Sequence, residues 1–133
     1  MTKNILIIDD DQNLVRMSKD ALERGGMFVE VAYNGKEGID MLRVAQKPYD
    51  LVILEVLVPK LNGVDVCEEM QRDSALSDVP VLLTSILPLS SGAFQRSLKL
   101  HHMFNLVRDT LEKPYDMLLL TSKVQKLLEC INH

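Results

Sequence analysis

A handful of positions in this sequence have the residue types and placement for chemistry. Asp9-Asp10-Asp11 follow directly on the apolar run Ile5-Leu6-Ile7-Ile8. Glu55 interrupts the apolar stretch from Leu51 to Val58, Thr84-Ser85 close a third such run, and Lys113 stands in Glu112-Lys113-Pro114. An ionisable side chain such as Glu55, set at the end of a buried run, is costly unless it is solvated, paired or bound to metal. Each group alone has a plainer reading: an acid after a strand caps a helix, a threonine favours a strand, and Lys-Pro makes a turn. Gathered at one edge of one fold, Asp9, Asp10, Glu55, Thr84 or Ser85, and Lys113 read as a site.

The elements that must position these groups follow from the pattern. Leu51-Val52-Ile53-Leu54 and the apolar residues after Glu55 read as a strand buried on both faces, as in a parallel sheet. Pro59 and Asn62-Gly63 then turn the chain. Ile5 to Ile8 form a first strand, and Asp11 caps a helix whose apolar positions are Leu14, Met17, Ser18, Ala21 and Leu22. Gly25-Gly26 stop it. Phe28 to Ala32 form a second strand followed by a turn at Asn34-Gly35, and a helix carrying Glu37, Ile39, Met41 and Leu42 ends before Pro48. A third helix runs from about Val64 to Arg72, with Val66, Cys67 and Met70 towards the sheet. Val79 to Ser85 form the fourth strand. Pro88 and Ser90-Ser91-Gly92 read as a loop, then Phe94, Leu98, Leu100 and Met103 as an irregular helix. A short strand around Arg108 to Leu111 precedes a last helix, Tyr115 to Ile131, whose stripe is Leu118, Leu119, Val124, Leu127, Leu128 and Ile131. This alternation predicts an α/β, flavodoxin-like (βα)5 doubly wound parallel sheet in the order 2-1-3-4-5.

Composition limits the function classes. The 133 residues, 47% hydrophobic and 26% charged, are expected to form one domain over 1–133. The net charge of −4 without a basic run argues against direct nucleic-acid binding. No apolar stretch approaches ~18 residues and no signal-peptide pattern opens the chain, so neither membrane insertion nor export is expected. Cys67 and Cys130 lack metal-ligand spacing and read as thiols of a reducing, cytoplasmic setting. No glycine-rich phosphate loop follows any strand, which disfavours a flavin or nucleotide binder.

The whole chain resembles the receiver domain of the bacterial two-component response regulators. The segments that carry the likeness are Ile5-Leu6-Ile7-Ile8-Asp9-Asp10-Asp11, Asp50-Leu51-Val52-Ile53-Leu54-Glu55-Val56, Pro59 with Asn62-Gly63, Val79-Pro80-Val81, and Glu112-Lys113-Pro114. The resemblance implies that Asp9 and Asp10 hold a divalent metal, normally magnesium, together with the backbone carbonyl of Leu57. Glu55 either joins that ligand set or swings away from it, and the binding is expected to be weak. Oxygen-only coordination suits magnesium. Lys113 is implied to pair with the acceptor, Thr84 or Ser85 to be the switch hydroxyl, and the bond to Pro114 to be cis, as is typical in relatives.

The likeness departs at its central residue, because the family's phosphoacceptor is an aspartate and the matching position is Glu55. The extra methylene adds roughly 1.3 Å of reach, and misplacing a reacting group by about 1 Å can cost ~100-fold. Glu55 is thus expected to reach Lys113 or the Thr84/Ser85 hydroxyl. The family's switch aromatic is replaced by Thr110, and the segment between Thr84 and Lys113 is longer than in most receivers. His101-His102 within it read as surface residues. The expectation is a stand-alone signalling module, not an enzyme and without an effector domain, that acts through protein contacts with phosphorylation impaired. The alternative is a working phosphotransfer receiver that uses Mg2+. Its implied partners are a sensor histidine kinase or other signalling proteins, with a homodimer through the fourth helix, fifth strand and fifth helix.

Overall fold

The computed structural model describes residues 2–86, 88, 92, 95–96 and 105–131, the last two by backbone alone. Five parallel strands form one sheet: β1 (Asn4–Ile8), β2 (Phe28–Ala32), β3 (Leu51–Glu55), β4 (Val81–Ser85) and β5 (Val107–Glu112). Their order is β2-β1-β3-β4-β5, the predicted doubly wound topology. The helices whose bounds lie within the described residues are α1 (Gln12–Arg24), α2 (Gly35–Val44), α3 (Gly63–Arg72) and α4 (Met117–Ile131). Here α4 is the fifth helix of the sequence reading; the irregular helix expected before it, with His101-His102, falls largely outside the described residues, as do Ser90 and Ser91.

The central strands β1, β3 and β4 are apolar except at their ends because both faces are covered, whereas the edge strands β2 and β5 carry Glu30 and Arg108, Asp109 and Glu112. On one face Leu6, Ile8, Val52, Leu54, Val81 and Leu83 pack with Ile39 and Leu42 of α2 and Val66, Cys67 and Met70 of α3. On the other face Ile5, Ile7, Leu51, Ile53 and Leu82 pack with Val15 and Leu22 of α1 and Leu120, Val124 and Leu128 of α4. Alternate residues of β1, β3 and β4 serve opposite cores, as the two-residue period requires.

Side-chain oxygens start the helices. Asp11 accepts from Leu14 N at 3.1 Å, Asn34 from Glu37 N at 2.8 Å and Asn62 from Asp65 N at 2.9 Å. Each satisfies an otherwise orphaned first-turn amide. Asn34-Gly35 is therefore a helix start, and the free turn expected there is replaced by a cap.

Two helix faces differ from the expectation. Val15 is buried in α1 whereas Met17 is 54% exposed, and in α4 Leu120 is buried whereas Leu118 is 76% exposed. Helical spacing alone fits either face. The direction in which each helix enters from its cap selects which one meets the sheet. Strand β3 is also shorter than its apolar run, since the chain leaves the ladder at Glu55 while Val56 and Val58 remain buried in the following loop.

Candidate functional site

The period of two decides which side chains share the carboxyl edge. Ile5 and Ile7 face α1 and α4, so Asp9 continues the same row past the end of β1. Leu51 and Ile53 face that side too, and Glu55 follows them. Thr84 follows Leu82 there, whereas Ser85 follows Val81 and Leu83 to the opposite face. Glu55 and Thr84 are direct register partners across β3 and β4. Of the two hydroxyls expected near Glu55, the fold thus sets Thr84 beside it and turns Ser85, also buried, away.

Lys113 reaches this face through an irregularity. Val81 pairs with Val107 but Leu82 pairs with Asp109, so Arg108 is an extra residue in β5. A one-residue bulge exchanges the faces of everything after it. Leu111 then joins the α1/α4 core, and Lys113, two residues on, points to the side of Asp9 and Glu55. Asp109 is carried to the same side, where Lys123 of α4 meets it at 3.0 Å. Lys113 N donates to Ser85 O at 2.8 Å, and the Lys113–Pro114 bond is cis.

The result is a buried triad of charges. Lys113 Nζ lies 2.6 Å from Glu55 Oε1 and 2.8 Å from Asp9 Oδ2. The remaining oxygens are held by the main chain: Leu57 N donates to Glu55 Oε2 at 3.0 Å, and Asp11 N to Asp9 Oδ1 at 3.0 Å. Asp9 and Glu55 are each only 4% exposed. Burial pushes the Asp9 carboxyl above its ordinary value, with the Lys113 contact opposing and the Glu55 charge adding a smaller upward push. Crowding of like charges is therefore secondary to desolvation. For Lys113 burial opposes the charge, but the hydrogen bonds and charges of Asp9 and Glu55 prevail and raise it to about 12.

Other expected site residues stand further out. Asp10 is exposed, and Leu57 is half-exposed in the loop after β3. Thr84 Oγ1 is buried and has no hydrogen-bond partner among the described residues. Thr110 pairs with Leu83, on the face away from the triad. Tyr115, not singled out from sequence, lies close enough for the charges of Asp9, Lys113 and Glu55 to act on its phenol, whose pKa is raised mainly by burial. Its only sequence signal is its place two residues after Lys113.

Comparison with known proteins places this geometry. The family model described as "Response regulator receiver domain" matches residues 5–125. The chain is a response-regulator receiver domain. It is 29% identical over 125 residues to the response regulator ArlR of Staphylococcus epidermidis, covering 94% of this chain and 52% of that protein. It is 35% identical over 124 residues to the DNA-binding dual master transcriptional regulator RpaA of Synechocystis, covering 93% of this chain and 48% of that protein. The receiver thus spans about half the length of these curated relatives. A solved two-component response regulator from Clostridium difficile superposes with a TM-score of 0.81 at 26% identity, covering 99% of this chain and 100% of that one. Receiver domains are signalling modules of two-component systems that interact with histidine kinases and other signalling proteins.

Receivers typically bind Mg2+ at the phosphorylation site, and the donor chemistry here is right in kind: carboxylates of Asp9 and Asp10 and a loop carbonyl at Leu57. Both oxygens of Asp9 and both of Glu55 are already engaged, however. Among the described residues no three His, Cys, Asp or Glu side chains converge as a ready cation site. No described helix is long and apolar enough to cross a membrane.

Proposed function

We propose that this receiver signals through protein contacts with its phosphorylation cycle impaired, because the carboxylate at the acceptor position is closed within the domain. The observation that carries this reading is the Glu55 carboxylate, with one oxygen on Lys113 at 2.6 Å and the other on Leu57 N at 3.0 Å. Phosphoryl transfer needs a carboxylate oxygen in line with the donor, and a misplacement of about 1 Å can cost ~100-fold. Glu55 also falls short as a phosphate mimic, since it carries one charge where a phosphoryl group carries about two. The Thr84 hydroxyl, without a partner among the described residues, supports the same view: Glu55 reaches the lysine and not the threonine. The domain reads as charge-locked in a resting form.

Asp9, Asp10 and the Leu57 carbonyl are the groups that would hold Mg2+, with Glu55 able to join only by leaving Lys113. Magnesium supplies charge neutralisation for a phosphoryl group when bound. Its binding here is proposed to be weak, because Lys113 already neutralises Asp9. The proposed partners are a sensor histidine kinase or other signalling proteins in the cytoplasm, or a second copy of the chain through the face of the fourth helix of the sequence reading, β5 and α4.

A second reading is a working phosphotransfer receiver, favoured by the retention of Asp9, Asp10, Thr84 and Lys113 around the acceptor position. Incubation with acetyl phosphate and Mg2+, read by intact mass, separates the two. The first reading expects no phosphoryl adduct on the wild type and an adduct on Glu55→Asp. An adduct on wild-type Glu55 would establish the second.

A further inference from the structure

We propose that Gly35, at the start of α2, is a positioning residue for the loop that follows Glu55, and that the α2 corner therefore moves with the state of the acceptor site. This rests on the reading of Glu55 as the central carboxylate, and it adds where a change there is felt.

The loop from Val56 to Asn62 is held by two glycines, one where it closes and one midway along it. Gly63 N donates to Val56 O at 2.8 Å, and a Cβ at Gly63 would lie 2.8 Å from both the Glu55 carbonyl oxygen and Val56 Cα. Only a residue without Cβ lets α3 begin so close to the end of β3. Midway, Gly35 N donates to Pro59 O at 3.1 Å. A Cβ at Gly35 would fall on the Leu61 carbonyl oxygen and 2.8 Å from Leu61 Cβ. The two backbones thus touch, with no side chain between them to absorb a shift. Between these contacts Lys60 takes φ 70°, a left-handed conformation disfavoured for a residue with a Cβ.

Helix α2 is fixed on its other side as well, because a Cβ on Gly38 would collide with the Ile8 side chain. It is seated against β1 at Gly38 and against the loop at Gly35. The loop in turn is tied to Glu55 through Leu57 N. A movement of the Glu55 carboxylate that releases Leu57 must displace the peptide units leading to Pro59, and the direct backbone contact passes that displacement to Gly35. Close-packed contacts of this kind shift between discrete arrangements and do not deform smoothly.

The test is an amide NMR comparison of the wild-type chain with Glu55→Gln and Glu55→Asp. The proposal expects the Leu57 and Gly35 resonances to shift together, and Gly35 to shift more than Gly26, which closes α1 outside this loop. If Leu57 shifts while Gly35 moves no more than Gly26, the coupling is refuted and the reading of Glu55 stands. If Leu57 itself does not move, the Glu55–Leu57 bond fails and both fall. Gly35→Ala supplies the converse measurement, with Leu57 and Gly63 expected to shift while Lys123, paired with Asp109, does not. Should that variant not fold, the Glu55 variants alone decide the matter.

Discussion

Glu55 and Thr84 are register partners on adjacent strands, yet their side chains do not bond: Glu55 turns to Lys113 at 2.6 Å and Thr84 Oγ1 has no partner among the described residues. A buried hydroxyl without a partner costs about 1–3 kcal/mol. Thr84→Val keeps the shape and removes that cost, so it is expected to be neutral or to stabilise by about 1 kcal/mol in urea unfolding. A loss of more than that amount would mean that the hydroxyl is bonded in solution.

The triad holds two carboxylates and one ammonium, so its members are unequal. Lys113→Met leaves Asp9 and Glu55 buried without a cation and is expected to cost about 3–5 kcal/mol. Glu55→Gln leaves a balanced Asp9–Lys113 pair and is expected to cost less than about 1 kcal/mol. Equal losses for the two variants would contradict the arrangement.

Alkaline pH is expected to destabilise the domain in steps. Burial, with a smaller push from Glu68, raises the Cys67 thiol from 9.0 to about 12. Burial and the Glu30 contact raise Tyr49 from 10.0 to about 12, and Lys113 rises from 10.5 to about 12. In each case the folded form holds its proton more tightly than the unfolded one. The stabilisation is therefore complete below the unfolded value and is lost as pH rises towards 12. Unfolding free energy measured from pH 8 to 11 should fall from about pH 9. Cys67→Ala should flatten the curve between pH 9 and 10 while keeping the decline beyond. An unchanged slope in that variant would exclude Cys67 as its source.

Lys60 is the one described non-glycine residue with positive φ, at 70°. The left-handed region costs an L-residue about 1–2 kcal/mol, and glycine gives part of this back in unfolded-state entropy. Lys60→Gly is expected to stabilise the domain by about 0.5–1 kcal/mol, read as a higher urea midpoint at unchanged m-value. A lower midpoint would show that the lysine side chain contributes more than its backbone costs.

The fold was legible because parallel strands buried on both faces leave long apolar runs, and Asp11, Gly25 and Pro59 punctuate them. The gathering of Asp9, Glu55 and Lys113 was legible for the same reason, since the carboxyl ends of parallel strands lie at one edge. The choice between Thr84 and Ser85 was not, because facing depends on register and an apolar run carries no alternation. Nor was the bulge at Arg108, which turns Lys113 to the right side; no glycine marks it. The seating of Gly35 on Leu61 joins loops 26 residues apart in sequence, and Asn34-Gly35 alone signals only a change of direction.

In the proposed reading the site lacks only its acceptor, because the Glu55 carboxylate is closed on Lys113. The direct measurement is a titration of wild type and Glu55→Asp with Mg2+ and beryllofluoride, following the amides of Leu57, Thr84 and Lys113 by NMR. The aspartate variant is expected to respond at all three while the wild type does not. A beryllofluoride response by the wild type would contradict that reading, and would make Glu55 a working acceptor.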